Sequence, residues 1–133
     1  MSAVFLDTVG LIARWDRHDQ WHVDAKHAFA SLLQKRTRLL TTTFVLLECG
    51  NAAARRPYRT AVDRLRTSME AKGSVIVPSP DDWIGAWQLY RDGEGDAAGI
   101  VDCISFVVMR RLGLTEAFTN DQHFRAAGFQ TLF

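Results

Sequence analysis

Five short apolar runs punctuate the chain: "AVFLD" (3–7), "RLLTT" (38–42), "SVIVP" (74–78), "EAFTND" (116–121) and "FQTLF" (129–133). Runs this short and this apolar read as strands buried on both faces. Between them lie segments of helical periodicity, and strands alternating with helices make a parallel sheet wrapped by helices. The expected fold class is therefore α/β. The stretch 20–36 sets Trp21, Ala25, Ala28, Phe29, Leu32 and Leu33 at helical spacing. Thr42 or Thr43 can cap a helix running through "FVLLECGNAAARR" until Pro57. Tyr58 to Lys72 forms another, with Ala61, Val62, Leu65 and Met69 on one side and Gly73 closing it. Pro80, Asp81 and Asp82 open a helix carrying Trp83, Trp87 and Tyr90, and "RDGEGDAAG" (91–99) reads as a loop. "IVDCISFVVMRRL" follows between Gly99 and Gly113, and "HFRAAG" (123–128) is a brief last helix.

With 133 residues, 47% of them hydrophobic, the chain is expected to be one domain spanning 1–133. Such a domain buries roughly two-thirds of the surface its unfolded chain exposes. A formal net charge of +1 means that no bulk charge demands nucleic acid as partner, although the cations are nearly all arginine, which suits bidentate phosphate contacts. Cys49 and Cys103 form no disulfide framework and no CxxC metal site, and each reads as a small buried hydrophobe. "MSAVFLDTVG" has no basic leader region and no segment reaches membrane-spanning length, so a cytoplasmic protein with no membrane partner is expected.

The segment 100–112 poses the sharpest chemical question. Apolar residues lie on all its sides, so the helix should be buried, yet Asp102 sits in its first turn. An ionised carboxylate there costs several kcal/mol unless something compensates it. Three other acids stand at comparable places: Asp7 at the end of the first strand, Asp121 just after "EAFT", and Glu48 in the helix behind the second strand. In an open parallel sheet all four can reach the rim beyond the carboxyl ends of the strands, where ligands bind. Carboxylates gathered in one pocket raise one another's pKa unless a cation sits among them. Oxygen-only ligands select a hard ion, Mg²⁺ or Mn²⁺ with retained waters. Such a site supports in-line displacement at phosphorus, with about 3.5–4 Å between ions where there are two. Singly, three of the acids have structural readings. Asp7 can cap a following helix, Asp102 is welcome at a helix N-terminus, and Asp121 can share a turn with Asn120. Glu48, inside an apolar helical run, has the least such excuse.

At these residues the chain resembles the PIN-domain nucleases, and within them the VapC toxins of type II toxin–antitoxin pairs. "FLDT", "TTTFVLLECGNA", "VDCISFVVMRRLG" and "AFTNDQHFRAAGF" match the family's four acidic segments in order along nearly the whole chain. The resemblance implies a three-layer PIN-like fold with a five-stranded parallel sheet flanked by helices, and a divalent-metal-dependent endoribonuclease. It implies that Asp7, Glu48, Asp102 and Asp121 form the site. Asp7 and Asp102 would be direct Mg²⁺ ligands, with Mn²⁺ as substitute, and Glu48 and Asp121 would act through water or a second ion. Thr8 and Asn120 would be polar supports. It further implies an RNA substrate, a homodimer and a cognate VapB-like antitoxin. One departure stands out: Gly99 occupies the place of a capping hydroxyl before the third acid. Asp96 can cap that helix instead, or join the site as a fifth acid.

For RNA contact the richest stretch is "ARRPYRTAVDRLR", with Arg55, Arg56 and Arg59 leading it and Arg64 and Arg66 behind. A solvated helix face looks the same. Arg14, Arg110 and Arg111 are weaker candidates, the last two also fitting a helix C-terminus. Trp15, Trp21, Trp83 and Trp87 can stack unpaired bases, though Trp83 and Trp87 read better as a core or interface stripe. His22 and Lys26 share a face that reads as exposed, and His123, two residues past Asp121, reads as structural or as a neighbour of the scissile phosphate. The rival functions are a PIN nuclease for RNA maturation without antitoxin, a non-catalytic RNA- or protein-binding domain, and a phosphoryl-accepting Asp domain. The last lacks an Asp-x-Asp and a placed Lys.

Overall fold

The computed structural model describes residues 3–133, so the first two residues of the expected domain lie outside the described residues. The strands are β1 (Ala3–Leu6), β2 (Arg38–Thr42), β3 (Val75–Ile76), β4 (Glu116–Phe118) and β5 (Gln130–Thr131). They form one sheet in the order β3-β2-β1-β4-β5, parallel throughout. The apolar runs are strands for the reason expected of them: Phe5, Leu6, Ala117 and Phe118 are fully buried. Register fixes where the strands stop. Phe5 pairs with Leu40 on one side and Ala117 on the other, and Leu6 pairs with Phe118. The carboxyl ends of the three central strands are thus level. The chain proceeds outward from β1 in one direction through β2 and β3, and in the other through β4 and β5. That reversal puts the topological switch point between β1 and β4.

The helices are α1 (Thr8–Trp15), α2 (His22–Gln34), α3 (Thr43–Ala52), α4 (Arg59–Ala71), α5 (Pro80–Asp92), α6 (Glu94–Ala97), α7 (Ile100–Leu112) and α8 (Gln122–Ala126). Their starts follow from capping chemistry. Thr42 accepts the Val45 N–H, and Ser79 forms a reciprocal capping box with Asp82 behind Pro80. α5 and α7 both stop at left-handed glycines, Gly93 and Gly113. α3 ends at Ala52, short of the expected Pro57, because the chain already turns at Ala53 and Ala54.

Two segments depart from the sequence reading. α1, expected only as a helix that Asp7 could cap, is amphipathic and buries Gly10, Leu11 and Ala13. It forms because Gly10 lets its first turn lie against the end of β4, where a Cβ would stand 2.1 Å from the Phe118 carbonyl oxygen. The expected loop 91–99 holds a single turn, α6, whose Gly95, Asp96 and Ala97 are all left-handed (φ 66°, 59° and 59°).

α7 is buried as expected, with Cys103, Ile104, Phe106, Val108 and Met109 in the core. Cys49 and Cys103 are both free and buried. The Trp83–Trp87 stripe is not core: Trp83 is half exposed and stands in a row of ring contacts from Phe44 through Trp87 to Tyr90. His22, expected on an exposed face, is half-buried and donates from Nδ1 to the Ala13 carbonyl across 2.8 Å. No helix among the described residues is long and apolar enough to cross a membrane.

Candidate active site

The residues after β1 and β4 meet at the switch point. Asp7 is buried and caps α1 by accepting the Val9 N–H at 3.3 Å. Its own N–H donates to the Phe118 carbonyl at 3.4 Å, which ties it to the end of β4. The Thr119 hydroxyl donates to Asp7 Oδ2 at 2.8 Å and accepts the Asp121 N–H at 3.1 Å. Asp121 caps α8 through the His123 N–H at 2.9 Å. Thr8, first residue of α1, donates to Glu48 Oε1 at 2.6 Å, so the acid from α3 is aimed back toward the Asp7 side. Asp102, in the first turn of α7, is half-buried.

The charges of these carboxylates act on one another. Burial pushes Asp7 well above the usual carboxylate range, and the charges of Asp102 and Asp121 push it further; the bonds from Thr119 and Val9 pull the other way. Burial raises Asp102 to about 7, helped by Asp121 and Glu48 and opposed by His123. Among the described residues, no arginine or lysine pairs with any of the four acids. That is what Asp102 faces: other carboxylates, with the His123 imidazole as the one group of the described residues whose charge opposes theirs on it.

The donor set fits a hard divalent ion. No three His, Cys, Asp or Glu side chains among the described residues stand close enough to enclose an ion unaided. Mg²⁺, which keeps several waters and takes one or two carboxylates directly, asks for no such cage.

Other expectations sort differently. Asp96 does not cap α7, whose N-cap is Gly99 with no side-chain bond. It is exposed on a left-handed backbone, where its charge reaches His123 and is not among those that raise Asp7 or Asp102. Asn120 contacts the rest of the site through no side-chain bond; its carbonyl accepts from Arg125. The hydroxyl that supports Asp7 belongs to Thr119, which the sequence reading did not single out. Its signal was available: a hydroxyl directly after a buried strand, two residues before an acid. His123 donates from Nδ1 to the Gly95 carbonyl at 2.9 Å and so pins α6 to the Asp121 turn.

Of the arginines, Arg66 is held by Asp63 and Glu70 and Arg59 donates to the Ala54 carbonyl. Arg111 makes a two-pronged contact with buried Asp82, Arg110 holds Glu94 and the Ala127 carbonyl, and Arg14 lies 4.0 Å over the Phe29 ring. Arg55 and Arg56 are exposed and, among the described residues, unpaired.

A five-stranded parallel sheet with acids gathered at its switch point defines the class. The family model of the PIN domain matches residues 4–130, and the chain belongs to that family. Within it the chain is VapC-like. It is 30% identical over 131 residues, covering 95% of both chains, to the "23S rRNA-specific endonuclease VapC20" of two Mycobacterium tuberculosis strains, CDC 1551 / Oshkosh and ATCC 25618 / H37Rv. The crystal structure of Mycobacterium tuberculosis VapC20, described as a sarcin–ricin loop cleaving toxin, superposes with a TM-score of 0.80 at 29% identity over 96% of each chain.

Proposed function

We propose that this chain is a Mg²⁺-dependent endoribonuclease, a single catalytic domain over 1–133, and the toxin of a type II toxin–antitoxin pair. The observation that carries the reading is the convergence of Asp7, Glu48, Asp102 and Asp121 at the switch point with no arginine or lysine of the described residues paired to them. A divalent ion held there would supply charge neutralisation at the scissile phosphate and lower the pKa of a water for attack. Asp7 and Asp102 would hold it directly, since burial and neighbouring charge raise both of these carboxyls and a bound cation would relieve both. Thr119 keeps Asp7 in one rotamer, Thr8 orients Glu48, and the His123 N–H orients Asp121. These bonds orient three of the four carboxylates before a substrate arrives, which lowers the cost of arranging them during reaction.

The likeness to VapC20 supports ribosomal RNA as the substrate to try first, and a VapB-like antitoxin as partner. An antitoxin arginine entering the carboxylate pocket would satisfy its missing cation. The half-exposed Trp83 and the exposed Ile84 and Tyr90 on α5 supply an apolar surface for a homodimer. The test is cleavage of a panel of RNAs, a 23S rRNA fragment included, by the purified chain in Mg²⁺, in Mn²⁺ and in EDTA, beside Asp102→Asn. Cutting that needs metal and vanishes in the variant is expected. No cutting under any condition, with no metal bound by calorimetry, leaves a non-catalytic binding domain.

A further inference from the structure

Trp15 ends α1, Tyr58 lies between α3 and α4, and their rings are nearly parallel, 21° between planes with centroids 6.3 Å apart. Together with Asp16, Arg17, His18, Arg56 and Pro57 they line a cavity of about 410 Å³. None of these residues takes part in the acidic site. The lining joins aromatic faces to two exposed arginines, Arg17 and Arg56. Asp16, the acid in the lining, has one carboxylate oxygen turned onto the His18 N–H at 2.9 Å.

The cavity lies one short helix away from Asp7. α1 begins beside Asp7 and ends at Trp15, so its eight residues separate the two by about 12 Å. α1 packs against α3, the helix that carries Glu48 and leads on to Tyr58. A single-stranded RNA whose phosphodiester sits at the carboxylates therefore has room to lay a nearby base in this cavity.

We propose that the Trp15–Tyr58 cavity is a subsite for one unpaired nucleobase of the RNA substrate, with the base stacked on the aromatic faces and its phosphate met by Arg56. This rests on the endoribonuclease reading, which it extends from the reacting atoms to substrate selection. Aromatic stacking accepts any base and requires it to be out of a duplex, so the subsite selects single-stranded or looped RNA over paired RNA. Arg56 adds one salt-sensitive phosphate contact.

The experiment measures binding of a short single-stranded RNA carrying fluorescent 2-aminopurine to the Asp102→Asn chain, which keeps the RNA intact. The same strand within a duplex is the control. Tyr58→Ala is expected to weaken single-strand binding about tenfold and to remove the quenching of the fluorescent base. Tyr58→Phe keeps both. Arg56→Ala, an exposed change that leaves the fold alone, lowers the salt slope by about one. In the cleaving chain Tyr58→Ala raises KM and leaves kcat. Unchanged binding and KM in a Tyr58→Ala protein that melts like its parent overturns the subsite while leaving the nuclease intact. Quenching by the subsite in a chain that cuts no RNA with any metal sustains the subsite and removes the nuclease reading instead.

Discussion

The Thr119 hydroxyl donates to Asp7 across 2.8 Å, joining two residues 112 positions apart at the ends of β1 and β4. The same oxygen accepts the Asp121 N–H, so one side chain braces two acids of the site. Thr119→Val preserves shape and removes the bond. Outer-shell partners of this kind are worth about ten- to a hundredfold in metal affinity. The Mg²⁺ concentration giving half-maximal RNA cleavage is expected to rise by about that factor. A cleavage titration checks it, with Thr119→Ser as the variant that restores the parent value.

Asp102 opposes folding in the absence of metal. Its carboxyl titrates near 7 in the folded chain, raised by burial and then by Asp121 and Glu48. A raised carboxyl contributes stability that is present below the unfolded value and is lost as pH climbs to the folded one. In metal-free buffer the parent should therefore lose up to about 4 kcal/mol relative to Asp102→Asn between about pH 4 and pH 7. Urea melts of the two proteins across that range measure the difference, and added Mg²⁺ should return stability to the parent alone.

Asp82 behaves with the opposite sign. Its side chain is 3% exposed and Arg111 grips it at 3.0 and 2.7 Å, which holds its carboxyl below the ordinary range. That stability is present above the unfolded value of about 3.9 and is lost as pH falls through the folded one. Arg111→Ala leaves Asp82 buried with the Ser79 N–H still bonded. The expected cost is about 1–2 kcal/mol at pH 7, discounted because Arg111 itself is half exposed, and the gap should close in acid. Parallel melts at pH 7 and in acid test this.

Two glycines make a matched pair. A Cβ on Gly10 would meet the Phe118 carbonyl oxygen at 2.1 Å and carbon at 2.7 Å, so Gly10→Ala must push α1 off β4. About 3 kcal/mol of stability is expected to go, and cleavage with it, because Asp7 caps that turn. Gly50, inside α3, has nothing within 4 Å of its Cβ position. Gly50→Ala should therefore gain about 0.5–1 kcal/mol by helix propensity. Chemical denaturation of both variants decides whether packing or propensity governs each position.

Much of this protein was legible in the order of its residues. The alternation of short apolar runs with helical spacing determined a parallel α/β sheet, because strands buried on both faces carry no polar alternation. Asp7, Glu48, Asp102 and Asp121 stood out because each is an acid at a strand exit or in an apolar helix, where an unbalanced charge is costly. What the order of residues could not decide was contact. Nothing near Thr119 in the chain announces Asp7 as its partner, and nothing near Asp96 says that its backbone turns left-handed and leaves it exposed. Arg66 and Arg56 look alike in "ARRPYRTAVDRLR", yet Asp63 and Glu70 occupy the first while the second faces a cavity beside Tyr58. Periodicity and charge cost are local properties, which a linear sequence carries. Hydrogen-bond partners, burial and cavities depend on distances between residues far apart in the chain, and only the packed sheet and its helices set those.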